Sequence, residues 1–179
     1  MKTPVRHALL ALLLGATTGA LSAADKAVAP DARVTVVFDH PEKYTDVKDG
    51  ASDSDNERGG GRYLPLLKAH LEEQAGRRLA PGQKLTVTFT DIDLAGDFEP
   101  WHGPQFNDVR ILKEIYVPRL TFNFQVADEG GRVVKEGQRK LADLGYQMRL
   151  TRAFRDDPLR YEKDMLDDWL RDDLPARKD

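Results

Sequence analysis

The sequence contains no cysteine. That excludes a disulfide scaffold, a thiolate metal site, a cysteine nucleophile and a Cys-x-x-Cys redox motif. Histidine is scarce, with four residues, of which His7 belongs to the leader described below. His40, His70 and His102 stand too far apart for a His-x-x-x-His or His-Glu-x-x-His zinc motif. No Ser/His/Asp set is legible, because Ser52 and Ser54 fall in a polar loop without a nucleophile-elbow pattern. No Gly-Lys-Ser/Thr follows Gly59-Gly60-Gly61, so these glycines are not a phosphate loop. Positive charge does not dominate. The 27 Lys and Arg face 30 Asp and Glu, and general nucleic-acid binding needs a dominant basic field. No apolar run is long enough to make a good membrane span.

What is present begins with a leader. Lys2 and Arg6 form a basic start, Ala8 to Ala16 is apolar, and Ser22-Ala23-Ala24 is a small-residue cleavage site. This is the pattern of a secretory signal peptide over residues 1–24, with cleavage expected after Ala24. No Cys follows it, which excludes a lipid-anchored lipoprotein. The mature chain, residues 25–179, then carries 25 basic and 30 acidic residues, a net charge of about −5. It is expected to be periplasmic and a single domain. Without disulfides it must be held by its core, and roughly 150 residues bury enough apolar surface for that.

The rest of the chain is organised around Leu85 to Gly96. Leu85, Val87 and Phe89 alternate with Thr86, Thr88 and Thr90, which predicts a strand. The parity then changes, since Ile92 and Leu94 are the next apolar residues. A straight strand would turn Asp91 and Asp93 into the side that buries Phe89, and unpaired buried carboxylates are costly. A bulge near Thr90 or Asp91, or a curl at the strand end, resolves the conflict. Upstream, Arg33 to Phe38 is nearly continuous in apolar character and predicts a central strand, ended by Asp39-His40-Pro41. Arg62 to Ala75 predicts a helix, with a stripe of Tyr63, Leu64, Leu67, Leu71 and Ala75 and Gly76 as its cap.

The aromatic, Pro- and Gly-containing loop from Ala95 to Asp108 is expected to fold back as a packed lid, with Phe98 buried and Trp101 left open as a ligand contact. Tyr116 to Val126 alternates cleanly. The turn Asp128-Glu129-Gly130-Gly131 leads into a return strand, Arg132 to Leu141. Leu144, Tyr146, Met148 and Leu150 predict one further strand. Asp157 and Pro158 open the last helix as cap and first residue. Its stripe is Leu159, Met165, Leu166, Trp169 and Leu170, and its late acidic residues are expected to fray the end. The fold class is therefore α+β: a mostly antiparallel sheet of four to five strands with two amphipathic helices packed on one face.

Two constellations could bind. Asp91, Asp93, Asp97, Glu99 and His102 are oxygen and nitrogen donors of the kind that suits a hard divalent cation. Their competing reading is strand-end and loop chemistry. Arg149, Arg152 and Arg155, followed by Arg160, could hold an anionic polymer, a lipid head group or an acidic partner. Here the competing reading is pairing with Asp156, Asp157 and neighbouring acids. The calcium-loop-like Asp53-Ser54-Asp55-Asn56-Glu57 fails its pattern, with Arg58 where Gly is required and Leu64 where Glu is required.

Four stretches together resemble one family: Phe38 to Asp46 (FDHPEKYTD), Thr90 to Gly96 (TDIDLAG), Glu99-Pro100-Trp101, and Tyr161 to Leu166 (YEKDML). The chain looks like the exported proteobacterial proteins described only as a domain of unknown function, DUF3016. The resemblance spans essentially the whole mature chain and implies export and one domain. It implies no activity, ligand, cofactor or catalytic residue. The functional expectation is a non-enzymatic periplasmic or envelope binding or accessory protein. Its residues would be Asp91, Asp93, Glu99, Trp101, His102, Arg149, Arg152 and Arg155, without cofactor or bound metal. Its partner would be an envelope protein or an anionic envelope component. The alternative is a metal-dependent enzyme using the acidic stretch from Asp91 to His102.

Overall fold

The computed structural model describes residues 33–47, 60–99, 101, 103, 109–148 and 156–174. Among these residues, six strands, β1 Val34–Phe38, β2 Lys84–Asp93, β3 Asp97–Phe98, β4 Arg110–Ile111, β5 Arg119–Ala127 and β6 Val133–Ala142, accompany two helices, α1 Gly60–Gly76 and α2 Arg160–Asp173. The main sheet has the order β1-β2-β5-β6, and β3 and β4 form a separate two-stranded ribbon. The β2–β5 and β5–β6 pairs are antiparallel, while β1 and β2 are parallel. Parallel neighbours need a long crossover, and α1 supplies it. The expectation of a central β1 is corrected: β1 is an edge strand. Its continuous apolar run reads as central because Val37 and Phe38 are apolar, yet Val37 sits on the open face and is exposed.

The parity conflict in β2 is resolved by a bulge. Phe89 stands opposite Phe122 and Asp91 opposite Thr121, so Thr90 is the extra residue. Asp91 and Asp93 are thereby turned to the open face of the sheet, while Ile92 returns to the core opposite Leu120. The bulged backbone is held from outside the ladder. The Phe89 carbonyl accepts the Tyr44 hydroxyl at 2.9 Å and the Asp39 amide at 3.0 Å.

Both helices pack on the other face. Leu67, Leu71 and Ala75 of α1 and Leu166, Trp169 and Leu170 of α2 join Leu85, Val87, Phe89, Leu120 and Phe122 in one continuous core. Trp169 stands edge-on to Phe122 and Phe124, with centroids 4.7 and 5.3 Å away. The His70 Nε2–Asp167 contact, 2.9 Å, links the two helices. Arg33 Nη2 donates to the Gly76 carbonyl at 2.7 Å, a cation at the C-terminal end of α1 where the helix dipole favours it.

Three local expectations are also corrected. Residues 146–148 form a 3-10 turn rather than a strand, with Tyr146 buried and Leu144 and Met148 outward. The α2 helix begins at Arg160; Asp157 instead accepts the Leu159 amide at 2.8 Å and Lys163 Nζ at 2.6 Å. The C-terminal end of α2 is fastened rather than loose, because Asp173 pairs with Arg139 and Lys135. Within the 95–108 loop, Phe98 is half-buried beneath the Arg110 guanidinium, 4.7 Å from its ring centroid.

Candidate functional site

Beyond the bulge, β2 ends in the turn Leu94-Ala95-Gly96, where four segments of the chain meet. The first is the run after β1. Thr45 donates to Asp91 through its amide at 2.7 Å and its hydroxyl at 3.0 Å, and the Asp46 amide reaches the Ile92 carbonyl at 3.2 Å. The Asp46 carboxylate in turn accepts the Leu94 amide at 3.2 Å and a two-pronged contact from Arg110, at 2.8 and 3.1 Å. A paired guanidinium and carboxylate of this geometry is the strongest kind of side-chain hydrogen bond.

Arg110 is the hub. It comes from β4, and its Nη1 also donates to the Gly96 carbonyl at 2.7 Å. Gly96 has φ +79°, and a Cβ there would lie 2.8 Å from the Ile111 carbonyl oxygen. Glycine is therefore required by both conformation and space.

The second anchor is Glu99. It is buried, and both its oxygens accept Lys113 Nζ, at 2.5 and 2.7 Å. The Tyr116 hydroxyl donates to the same carboxylate at 2.7 Å, which, with burial, pushes the Tyr116 phenol up to about 12. The Tyr116 carbonyl then accepts the Gly96 amide at 3.1 Å.

The third anchor is Glu162, from the first turn of α2. Its Oε1 accepts the Ala95 amide at 2.7 Å, and its Oε2 has no partner among the described residues. Burial raises its carboxyl to about 7, against the pull of the Ala95 amide and of Arg110. Tyr146 and Tyr161 stand edge-to-face beside it at 4.7 Å, and Tyr146 donates to the Lys113 carbonyl at 2.8 Å. This group can hold or release a proton near neutrality. Its hydrogen bond among the described residues fastens the Ala95 backbone amide.

Among the described residues the four carboxylates of the acidic constellation do not converge. Asp91 is held by Thr45, Asp93 by Arg119 at 2.9 Å, and Glu99 by Lys113 and Tyr116, while Asp97 accepts the amide of Phe98. Burial raises the Asp93 carboxyl, with Arg119 opposing. Among the described residues no three His, Asp or Glu side chains are grouped to hold a metal ion. Trp101 is 70 % exposed. His102, Arg149, Arg152 and Arg155 lie outside the described residues, as does the calcium-loop-like stretch at 53–57. No helix of the described residues is long and apolar enough to cross a membrane.

Sequence reasoning missed Asp46, Arg110, Lys113, Tyr116 and Glu162 as site residues. Glu162 carried a signal, since it lies three residues after Leu159 and four before Leu166, on the apolar stripe of α2. Arg110 carried none. Asp46, Ala95, Gly96, Glu99 and Glu162 belong to the four stretches that carry the family resemblance, and the fold brings these five residues around one turn.

Fold and cluster define an α+β protein with a four-stranded mixed sheet whose turn after β2 is fastened by buried acid–base contacts. The chain belongs to the family described as Protein of unknown function (DUF3016), which matches residues 32–172. No curated protein and no solved structure matches the chain.

Proposed function

We propose that this chain is a non-enzymatic binding or accessory protein of the periplasm or envelope, exported by residues 1–24, that docks a partner protein on apolar side chains beside the ribbon. The carrying observation is the exposure of Ile115, Leu144 and Met148, at 73, 79 and 88 %. Their segments are fixed to each other: Tyr146 bonds the Lys113 carbonyl, and the Asp143 amide reaches the Pro118 carbonyl at 3.3 Å. Large apolar side chains standing out from segments that are held to each other support a docking role for this face. The partner it fits presents a complementary apolar ridge. The carboxylates support the non-enzymatic side of this reading. A metal-dependent enzyme would need Asp91, Asp93 and Glu99 to leave Thr45, Arg119 and Lys113 and converge.

Photo-crosslinking in living cells tests the proposal. A photoreactive residue at Ile115 or Met148 is expected to give one discrete protein adduct, while one at Val37 gives none. Leu144→Asp should abolish the adduct. No adduct, or equal labelling at all three positions, overturns the docking surface. Amino-terminal sequencing should begin within a residue or two of Asp25; an intact Met1 on cytoplasmic protein overturns the export.

A further inference from the structure

Strand β6 is one edge of the main sheet and is ten residues long. An edge of this length is a template for another strand. Its pairing with β5 assigns its faces. Glu136, Gln138 and Lys140 stand opposite Gln125, Asn123 and Thr121 on the open face. Lys135, Gly137, Arg139 and Leu141 point to the helix side. The helix-side charges are already engaged. Asp173 takes Arg139 at 2.7 Å and Lys135 at 2.9 Å, and the Arg139 guanidinium lies 4.9 Å over the Phe124 ring. Glu136 and Lys140 are thus the charges an incoming strand meets on the open face.

We propose that a second copy of this chain pairs antiparallel along β6, centred on Gln138, so that Glu136 of each copy faces Lys140 of the other. The register follows from symmetry and charge. Directly opposed residues of an antiparallel pair share a face, so the two-fold axis must pass through one residue set against its own copy. Centres at Lys135, Glu136, Arg139 or Lys140 oppose like charges at the axis. A centre at Gly137 sets Lys135 against Arg139 twice. Only Gln138, within this central stretch, opposes an uncharged amide to itself and gives two attractive pairs. Lys135 then faces Leu141, and Gly137 faces Arg139. The Gln138 carbonyl accepts Arg139 Nη1 at 2.9 Å on the exposed side, a contact that the partner's backbone replaces. The two sheets join into one of eight strands with all helices on the same face. This contact is separate from the docking surface proposed above and does not depend on it.

Sedimentation of the purified protein across a concentration series, up to about 0.1 mM and above where weak dimers form, is the test. A concentration-dependent dimer is expected. Glu136→Lys alone, or Lys140→Glu alone, should weaken it by on the order of tenfold, and the double exchange Glu136→Lys/Lys140→Glu should restore it. The chain has no cysteine, so Gln138→Cys provides a unique probe. Mild oxidation should couple Gln138→Cys chains to each other and leave Glu136→Cys and Lys140→Cys chains largely uncoupled. Circular dichroism confirms that each variant is folded. A monomer throughout, a dimer indifferent to the charge exchanges, or coupling equal at all three positions overturns the proposal.

Discussion

Glu162 titrates between the values that matter for a folded protein near neutrality. Its carboxyl is pushed from 4.5 to about 7, first by burial. Between those pH values the folded state keeps a proton that the unfolded chain has released. Its contribution is therefore full below about pH 4.5 and is lost as pH rises through 7. The groups that face it are Arg110 of β4, Asp46 of the run after β1, and Tyr146 of the 3-10 turn. Glu162→Gln keeps a carbonyl acceptor for Ala95 and removes the titration. The variant should therefore gain stability relative to the parent between pH 5 and pH 8, by on the order of 3 kcal/mol. Urea unfolding at intervals across that range measures it, and parallel curves would refute it. Asp173 acts with the opposite sign. Arg139 lowers its carboxyl to about 2, so its support is present above 3.8 and is lost toward pH 2.

At the scale of the element, an apolar stripe is informative only where something covers it. On α1, Leu67 and Leu71 are fully buried between the sheet and α2, while Leu66 on the same helix is exposed. Leu71→Ala is expected to cost about 2–5 kcal/mol through lost burial and a residual cavity. Leu66→Ala should stay within about 0.5 kcal/mol. Thermal or urea unfolding of the two variants separates them; similar losses would mean that the stripe is not packed as described. Elements were legible wherever period and burial coincide, as in Leu120, Phe122, Phe124 and Val126 of β5 or Leu67 and Leu71 of α1. The parity break near Thr90 was legible too, because burying Asp91 and Asp93 costs too much, and the structure resolves it as a bulge rather than a curl. The stretch at 144–148 misled for the converse reason. Its alternation has no cover on the Leu144 and Met148 side, and only Tyr146 finds a pocket.

For the molecule as a whole, the acidic residues divide the two functional classes. If Asp91, Asp93 and Glu99 serve the fold, then Mg²⁺, Mn²⁺, Ca²⁺ and Zn²⁺ should each leave the melting temperature nearly unchanged. Asp93→Asn should cost less than about 1 kcal/mol, because its partner Arg119 is half exposed. A cation site would instead give about 2.7 kcal/mol at a hundredfold excess over its dissociation constant. A saturable shift abolished by Asp93→Asn would promote the metal-dependent enzyme over the binding protein.

The sequence by itself determined the α+β class, the helix stripes, the main alternating strands and the need for a bulge or a curl in β2. Each of these follows from local period and from the cost of burying charge, and a linear pattern records both. Tertiary structure alone decided that β1 lies at an edge and parallel to β2, since strand order depends on where α1 carries the chain. It alone brought Asp46, Arg110, Glu99 and Glu162 around the Leu94–Gly96 turn. Arg110 and Asp46 are 64 residues apart, and Ala95 and Glu162 are 67 apart. Contacts over such separations are set by the path of the whole chain, and no local pattern encodes them.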